Sequence, residues 1–276
     1  MPSSNFFSAN ESVCVVTGGG SGIGRALAKH LASLGAKRIA VVDMYLDSAQ
    51  STVSLLPPKV GLAIQADCGS EMDVRRVIIQ TEFKCGPIDA FFCNAGVGGS
   101  GGPEVSNDEW DYIFRVNVMQ GVYASRHLFP KFETRGRGLM VITASSAGLL
   151  NLPGAIPYSV TKHAAVGLAE GLNIMYASKG IHVACLCPMG VRTGMLGGTD
   201  GGVMKKDGIL SPDYVAKETV SAVEKGKFMI LPHKQVKTYL VGKARFHEKW
   251  LNQMQHAHSK FGEAMRNAPN MSTARL

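Results

Sequence analysis

Short apolar runs rich in β-branched residues alternate with longer stretches of helical periodicity along most of the chain. The first two runs, Val13–Thr17 and Arg38–Asp43, have the composition and length of strands. Runs of the same kind lie at residues 61–66, 88–93, 139–144, 181–187 and 228–231. Strands that are apolar throughout are buried on both faces, and strand–helix–strand units cross over right-handedly. The pattern predicts an α/β fold, a doubly wound parallel sheet in one domain.

Two of the predicted helices begin at recognisable caps. Ser106-x-x-Glu109 is a capping box that opens a long helix over residues 107–129. Ser211-Pro212 places a cap directly before a proline at the first helical position. Further helices are predicted at residues 22–34, 71–84 and 157–177.

The composition is that of a globular protein. The 276 residues are 45% hydrophobic and 18% charged, which excludes a disordered chain. No apolar run reaches the ~18 residues of a membrane helix, and the first ten residues resemble no secretory leader. We predict a main domain over residues 1–232, a basic amphipathic helix over 233–262 packed on it, and a disordered tail over 263–276.

The net charge of +8 belongs entirely to the last part of the chain. Residues 1–224 carry 19 basic and 19 acidic residues, whereas residues 225–276 carry 10 basic and 2 acidic residues. Apolar residues at steps of three and four predict one amphipathic helix over 235–261. Three interpretations stay open: a helix packed on the body or a neighbouring subunit, a basic lid that favours an anionic substrate, and a contact with a membrane surface or partner. No nucleic-acid-binding motif is present, so we expect no nucleic-acid partner.

The six cysteines predict neither a metal site nor a disulfide framework. They form no CxxC pair, and four of them lie within apolar runs, where cysteine behaves as a small hydrophobe. We therefore expect no metal and a reducing compartment.

A glycine-rich segment, Thr17-Gly18-Gly19-Gly20-Ser21-Gly22-Ile23-Gly24, joins the first strand to the first helix. Glycines allow a tight turn and the close approach of a pyrophosphate, to which the helix N-terminus offers free N–H groups. The candidate dinucleotide-binding residues are Gly18, Ser21, Gly22, Ile23 and Gly24. The alternative is a tight turn that holds no ligand. With such a ligand the sheet is Rossmann-like, and residues 1–232 are a dinucleotide-binding catalytic domain.

Asp43 ends the second strand, 19 residues after Gly24. A carboxylate there can accept hydrogen bonds from the adenosine ribose hydroxyls, and it repels a 2′-phosphate. The sequence therefore predicts NAD rather than NADP as cofactor. The alternative for Asp43 is a helix cap or a solvated strand end.

Tyr158 and Lys162 are four residues apart on a predicted helix and share one of its faces. A tyrosine hydroxyl has a pKa near 10, and a neighbouring ammonium favours the phenolate. Ser145 closes the fifth strand at the end where open α/β sheets place their sites. A Tyr-x-x-x-Lys pair alone is also compatible with an exposed surface pair.

These motifs together resemble the short-chain dehydrogenase/reductase family over about residues 12–231. The glycine segment matches the cofactor loop of that family, Asn94-Ala95-Gly96 matches its NAG motif, and Asn117 matches its helix asparagine. Ser145 lies 13 residues before Tyr158, as the family pattern requires. The resemblance also assigns Asp43 with Met44, and Asp67 with Cys68, to the adenosine end of the cofactor.

The resemblance implies a role for each matched residue. Tyr158 is the general acid/base, Lys162 lowers its pKa and holds the nicotinamide ribose, and Ser145 polarises the substrate oxygen. Asn117 supports a water that links Lys162 to solvent. The segment after the sixth strand binds the nicotinamide carboxamide through Pro188, Val191 and Thr193. Here this sequence departs from the family, because Met189 replaces the usual glycine. That change either reshapes the nicotinamide pocket or is a tolerated difference in packing.

Apolar residues occupy the positions that form the substrate side in this family: Leu149, Leu150, Leu152, Ile156, Met189, Met195, Leu196 and Met204. We predict an NAD-dependent oxidoreductase acting on a hydrophobic secondary alcohol or ketone, such as a hydroxy-lipid, steroid or prostanoid-like compound. Core packing explains some of these residues equally well. The alternative function is a catalytically inactive NAD-binding regulatory or scaffold protein of the same fold.

The resemblance also implies a homodimer or homotetramer, assembled through the helices at 107–129 and 157–177. The last three residues, Ala274-Arg275-Leu276, resemble the C-terminal Ser-Lys-Leu address read by the peroxisomal import receptor. The expected location is therefore the peroxisome or, if the tripeptide is not read, the cytoplasm.

Overall fold

The computed structural model describes residues 7–196 and 207–266. Its centre is a parallel sheet of seven strands in the order β3-β2-β1-β4-β5-β6-β7. The strands are β1 (Val13–Thr17), β2 (Arg38–Asp43), β3 (Gly61–Gln65), β4 (Ala90–Cys93), β5 (Gly138–Thr143), β6 (Ile181–Leu186) and β7 (Met229–Ile230). The doubly wound α/β fold predicted from the sequence is confirmed.

Ten α-helices are present in the described part of the chain. They are α1 (Gly22–Ser33), α2 (Leu46–Val53), α3 (Glu71–Cys85), α4 (Asn107–Phe114), α5 (Gln120–Arg135), α6 (Ala147–Leu150), α7 (Ile156–Tyr176), α8 (Pro212–Glu224), α9 (Gln235–Arg245) and α10 (His247–Arg266). The side-chain oxygens of Ser106 and Ser211 accept the backbone N–H groups of Glu109 and Tyr214. Both predicted caps therefore form.

Each strand supplies side chains to two hydrophobic cores, because successive residues of a strand point to opposite faces. Val13 and Val15 lie in the core covered by α3, α5 and α7. Cys14 and Val16 lie in the core covered by α1 and α8. This double burial explains why the strands are apolar throughout rather than alternating.

The strand order reverses next to β1, which pairs with β2 on one side and with β4 on the other. The connections after β1 and β4 therefore leave on opposite faces and open a crevice at the carboxyl end of the sheet. The glycine segment follows β1, Asn94 follows β4 and Ser145 follows β5, so all three lie along this edge.

The predicted helix over 107–129 is longer and less regular than expected. A π-helical turn, Arg115–Met119, separates α4 from α5, and α5 continues through Pro130 to Arg135. The hydrophobic periodicity of the sequence did not reveal the turn.

The predicted single helix over 235–261 is two helices. Phe246, at φ −134° and ψ 59°, leaves the helical region and ends α9 before α10 begins. Apolar spacing of three and four survives such a break, so the sequence pattern did not show it. Helix α10 continues to Arg266, beyond the predicted start of the disordered tail at 263. The division into a domain and an appended helix remains a prediction.

Several predicted features lie outside the described residues. They are Met204 and the tripeptide at residues 274–276. Within the part that the structure describes, no helix is long and apolar enough to cross a membrane.

Candidate active site

The glycine segment makes a turn that side chains cannot follow. Gly18 has φ +61°, and a Cβ on it would lie 2.9 Å from the Cα of Ala95. A Cβ on Gly24 would lie 2.1 Å from the carbonyl oxygen of Gly18. Gly22 also has a positive φ, of 48°, at the start of α1. The turn therefore requires glycine at these positions and leaves Ser21 and Ile23 at the N-terminus of the helix.

Two side chains that the sequence pattern did not indicate, Arg25 and Thr52, stabilise this turn through hydrogen bonds. The Thr52 hydroxyl donates to the carbonyl of Gly19 at 2.8 Å. Arg25 donates through Nε to the Thr52 oxygen at 3.0 Å and through Nη2 to the carbonyl of Gly20. The Arg25 guanidinium is thus engaged by the turn itself. A polar residue on α2 has no sequence signature for this role, since only the fold brings it to the loop.

Asp43 lies at the end of β2 with its carboxylate against the same turn. One oxygen accepts the N–H of Gly20 at 3.0 Å and the other accepts the N–H of Tyr45 at 3.1 Å. Asp43 is only 5% exposed, whereas the next residue, Met44, is 37% exposed. A carboxylate has about four acceptor positions, so two remain for further donors such as ribose hydroxyls.

Asp67 and Cys68 follow β3, the strand next to Asp43. One Asp67 oxygen accepts the N–H of Gly69 at 2.8 Å, which fixes the turn. Burial, together with the smaller effect of the neighbouring Asp67 carboxylate, raises the pKa of the Cys68 thiol to about 12, so the thiol stays neutral. The structure thus brings both residues to the edge where the resemblance places the adenine.

Thr17 ties the segment Asn94–Ala95–Gly96 to the end of β1. Its hydroxyl oxygen accepts the N–H groups of Asn94 and Ala95, both at 2.9 Å. The fully buried Asn94 amide donates to the Thr17 carbonyl at 3.1 Å. The tip of β4 therefore lies against Gly18, as a shared cofactor surface requires.

Tyr158 and Lys162 share a buried face of α7. Lys162 is 0% exposed, and its Nζ donates to the carbonyl of Thr143 at 2.9 Å. The same Nζ lies 5.6 Å from the centre of the Tyr158 ring. Ser145, 8% exposed, lies next to Tyr158 and hydrogen-bonds with it. The predicted surface-pair alternative is excluded, because both side chains are buried.

Burial dominates the ionisation of both groups. It raises the pKa of Tyr158 to about 12, against a smaller lowering by the Ser145 hydrogen bond. It lowers the pKa of Lys162 to about 8. The resemblance implies that Lys162 lowers the pKa of Tyr158, but in the protein without cofactor this lowering is not found. Desolvation disfavours the charged form of each side chain and exceeds their mutual effect.

Asn117 lies in the π-helical turn, and its side chain hydrogen-bonds to other segments of the protein. Its Oδ1 accepts the N–H of Val97 at 2.8 Å, and its Nδ2 donates to the Val97 carbonyl at 3.0 Å and to the Thr161 hydroxyl at 3.1 Å. The amide thus fixes the loop after β4 against α7. π-helical turns of this kind occur often at functional sites.

Gln120 is a buried polar residue that the sequence analysis missed. Its Nε2 donates to the carbonyls of Val116, at 2.6 Å, and of Ala95, and its Oε1 accepts the Thr17 hydroxyl at 3.0 Å. Gln120 therefore joins the π-helical turn, the Asn94 segment and β1. A glutamine within a helix carries no signal for such a role until the three elements are placed.

The segment after β6 is held against Ser145 and Ser146. The Pro188 carbonyl accepts the Ser146 N–H at 2.8 Å, and the Ser145 hydroxyl lies 3.4 Å from it. Val191 is buried and forms a β-bridge with Leu210, and the N–H of Thr193 donates to the Val191 carbonyl at 2.7 Å.

Met189 is not a strained replacement for glycine. Residue 189 does not have a positive φ, and its side chain is partly buried against the core covered by α3, α5 and α7. Both interpretations of the sequence, a reshaped nicotinamide pocket and a tolerated difference in packing, stay predictions.

Apolar side chains surround Tyr158. Leu152 and Met195 pack in one cluster with Tyr158, and Leu149 and Leu150 are buried on α6. Ile156 is 47% exposed. The side chains of Leu196 and Met204 lie outside the described residues.

The cysteines are free and buried, and in the described ranges no three His, Cys, Asp or Glu side chains cluster as metal ligands. The glycine cradle, the acidic end of β2 and the buried Ser–Tyr–Lys group together fit an extended dinucleotide. The adenosine end would lie at Asp43 and Asp67, and the reactive end at Tyr158.

Comparisons with known proteins agree with this fit. A family model described as short chain dehydrogenase matches residues 12–201. Short chain aldehyde dehydrogenase 1 of Euphorbia lathyris is 34% identical over 188 residues, which cover 67% of this chain and 65% of that protein. The 4-formylbenzenesulfonate dehydrogenase TsaC1/TsaC2 of Comamonas testosteroni is 32% identical over 191 residues, 68% of this chain and 75% of that protein.

A solved structure extends the likeness to almost the whole chain. It is a short chain dehydrogenase/reductase from Burkholderia phymatum in complex with NAD, with a TM-score of 0.79 and 26% identity, covering 96% of this chain and 98% of that chain. The family match, which spans more than half of the sequence, and this shared architecture lead to one conclusion. The chain belongs to the short-chain dehydrogenase/reductase family of oxidoreductases.

Proposed function

We propose that the protein transfers a hydride between NAD and a hydrophobic secondary alcohol or ketone. The observation that carries this proposal is the buried Tyr158 hydroxyl beside Ser145 and Lys162, at the same sheet edge as the glycine turn and Asp43. A scaffold protein has no need to bury a lysine and a tyrosine in contact with a serine at this edge.

NAD, when bound, supplies the hydride acceptor at the nicotinamide ring. The Ser145 hydroxyl hydrogen-bonds the substrate oxygen and orients it towards Tyr158. In alcohol oxidation the Tyr158 Oη accepts the hydroxyl proton, and in ketone reduction it returns the proton to the same oxygen. Lys162, held by the Thr143 carbonyl, holds the cofactor ribose with its remaining N–H groups.

Because the pKa of Tyr158 is high in the protein alone, we assign the cofactor a second role, which is to lower that pKa. A positive charge beside the phenol favours the phenolate, and a buried site strengthens that effect because the effective dielectric is low. Tyr158 is therefore a base only in the complex with the oxidised cofactor. Asn117 fixes the turn from which a water relays the proton between Lys162 and solvent.

Asp43 supports a preference for NAD over NADP. Asp43 is buried, and its carboxylate is already held by two backbone N–H groups, so it is fixed in place for a ribose diol. A 2′-phosphate would bring two negative charges together there. Arg25 is the cation next to the turn, and it donates inward to Gly20 and Thr52.

A substrate panel tests the proposal, with NADH absorbance as the signal. It contains hydroxy-lipids, steroids, prostanoid-like alcohols and small polyols. Because the two relatives are named as an aldehyde dehydrogenase and a formylbenzenesulfonate dehydrogenase, it also contains aliphatic and aromatic aldehydes. We expect turnover of large apolar secondary alcohols or their ketones. Preference for small polyols would refute the hydrophobic substrate class.

The Tyr158→Phe variant separates the enzyme from the alternative, an inactive NAD-binding scaffold. We expect the variant to bind NADH as the native protein does but to lose at least about a thousandfold in kcat, since general acid/base catalysis and oxygen positioning are both removed. A native protein that binds NADH without turning over any member of the panel would favour the scaffold.

A further inference from the structure

One peptide group near the cofactor site is held from both sides. In the peptide group between Pro188 and Met189, the Pro188 carbonyl accepts the N–H of Ser146 at 2.8 Å. Ser146 directly follows the catalytic Ser145. The Met189 N–H donates to Nδ1 of His233 at 3.2 Å. The orientation of this peptide plane is therefore set by the catalytic serine segment on one side and by an imidazole on the other.

His233 comes from a distant part of the chain. It lies between β7 and α9, 44 residues after Met189, and is 2% exposed. Its own segment is rigid, because the Cys187 N–H donates to the carbonyl of Ile230 at 2.9 Å and the Val236 N–H donates to the His233 carbonyl at 3.1 Å. The imidazole is thus a fixed acceptor at the end of β6.

The hydrogen bond defines the state of the ring. Nδ1 accepts from a backbone N–H, so the neutral ring carries its proton on Nε2. Nε2 is buried without a hydrogen-bond partner among residues 7–196 and 207–266. Burial lowers the pKa of His233, against opposing effects of the Gly208 and Gly190 backbone and the Asp207 carboxylate. The neutral form that can accept the bond is therefore the favoured one.

We propose that His233 is a positioning residue for the nicotinamide end of the cofactor. It acts through the Pro188–Met189 peptide group, and it does not touch the adenosine end. The inference rests on the proposed NAD-dependent function and on the family resemblance, which assigns the nicotinamide carboxamide to Pro188, Val191 and Thr193. Without the acceptor, the Met189 N–H would lose its partner, and the peptide plane would be held only by the Ser146 N–H on its other side.

The test compares two ligands that differ only at the nicotinamide end. NADH carries the nicotinamide, and ADP-ribose lacks it. We expect His233→Gln, whose side-chain oxygen lies one bond too far from the backbone, to weaken NADH binding about three- to tenfold by calorimetry. ADP-ribose binding should change less than twofold. His233→Asn places an amide oxygen near the position of Nδ1 and should restore NADH affinity.

His182→Gln is the matched control, since His182 is also buried but lies at the opposite end of β6. It should leave the binding of both ligands unchanged. Equal weakening of NADH and ADP-ribose by His233→Gln, or no weakening of either, would overturn the proposal. If His233→Gln does not fold, His233→Ala with the same two ligands decides. A native protein that binds neither ligand would instead refute the proposed function.

Discussion

At the scale of single residues, burial has opposite effects on two neighbours. It raises the pKa of Tyr158 to about 12 and lowers that of Lys162 to about 8, so each side chain favours its neutral form. The sequence spacing placed the two on one helix face but gave no measure of their desolvation. The desolvation depends on the way α6 and β6 pack against α7.

Lys162 should make the stability of the fold depend on pH. Its pKa is about 8 when folded and about 10.5 when unfolded, so between these values the unfolded chain binds more protons and stability rises with pH. The gain is up to about 3 kcal/mol. Tyr158 has the opposite sign, since its raised pKa makes stability fall between pH 10 and 12.

Urea unfolding at pH 7.5, 8.5 and 9.5 measures the effect, in a range where Tyr158 stays protonated. The buried cysteines have raised pKa values that make stability fall over the same range, and they contribute equally to the native protein and to Lys162→Met. The midpoint of the native protein minus that of Lys162→Met should therefore increase with pH. Lys225→Met, which removes an exposed lysine, should follow the native protein at every pH. A difference between the native protein and Lys162→Met that does not change with pH would contradict the lowered pKa of Lys162.

We predict that Asp43 determines the preference for NAD over NADP. Asp43→Asn should raise KM for NAD about tenfold or more and narrow the preference over NADP, because a charge-assisted acceptor for the ribose is lost. Asp47→Asn, an exposed carboxylate on α2, is the control and should change neither value. Steady-state kinetics with both cofactors gives the answer, and an unchanged ratio would mean that Asp43 has only a structural role.

At the scale of elements, the π-helical turn joins the pieces of the site. Asn117 binds the backbone of Val97, and Gln120 binds the ends of β1 and β4 and the turn itself. The family pattern pointed to Asn117, but hydrophobic periodicity could not reveal the turn or the role of Gln120. Both follow from the way three separate elements meet at the sheet edge.

Gln120→Leu should destabilise the fold by about 2–3 kcal/mol. It removes one of the two acceptors of the Thr17 hydroxyl, the other being the Phe92 carbonyl, and it removes the side-chain donor to the carbonyls of Val116 and Ala95. The midpoint of urea unfolding measures the loss. Thr134→Ala, at an exposed position of the same helix, should cost less than about 0.5 kcal/mol. Equal effects of the two changes would show that the Gln120 network adds nothing to stability.

At the scale of the whole molecule, the basic end of the chain is partly integrated with the body. Lys243 on α9 donates to the Leu149 carbonyl on α6 at 2.6 Å. Val236 is fully buried in the core covered by α3, α5 and α7. These contacts support the interpretation in which the basic helix packs on the body. The lid and partner interpretations remain open for α10, whose residues His247 to Lys260 are mostly exposed.

We predict that the 29.4-kDa chain assembles through α7 and the neighbouring helix of residues 107–135. Ile174 and Met175 on α7 are 83% and 64% exposed, which is unusual for large apolar side chains. Light scattering after size exclusion should give a dimer or tetramer, and Ile174→Asp should shift it to smaller species. Phe83→Asp on α3, 88% exposed in the native protein, is the matched control and should not. Dissociation by Phe83→Asp alone would place the interface on α3.

The sequence by itself determined the fold class, the seven strands and the candidate site, because these follow from local patterns. Burial on both faces imposes apolar strands, a tight turn imposes glycines at 18, 22 and 24, and the family spacing selects Ser145, Tyr158 and Lys162. Only the tertiary structure decided what holds that site together. Arg25, Thr52, Gln120 and His233 act through contacts between distant segments, and a polar side chain gains such a role only when the fold removes it from water. The direction of the Tyr158 and Lys162 pKa shifts was decided in the same way, since desolvation is a property of the packed molecule and not of the spacing along the chain.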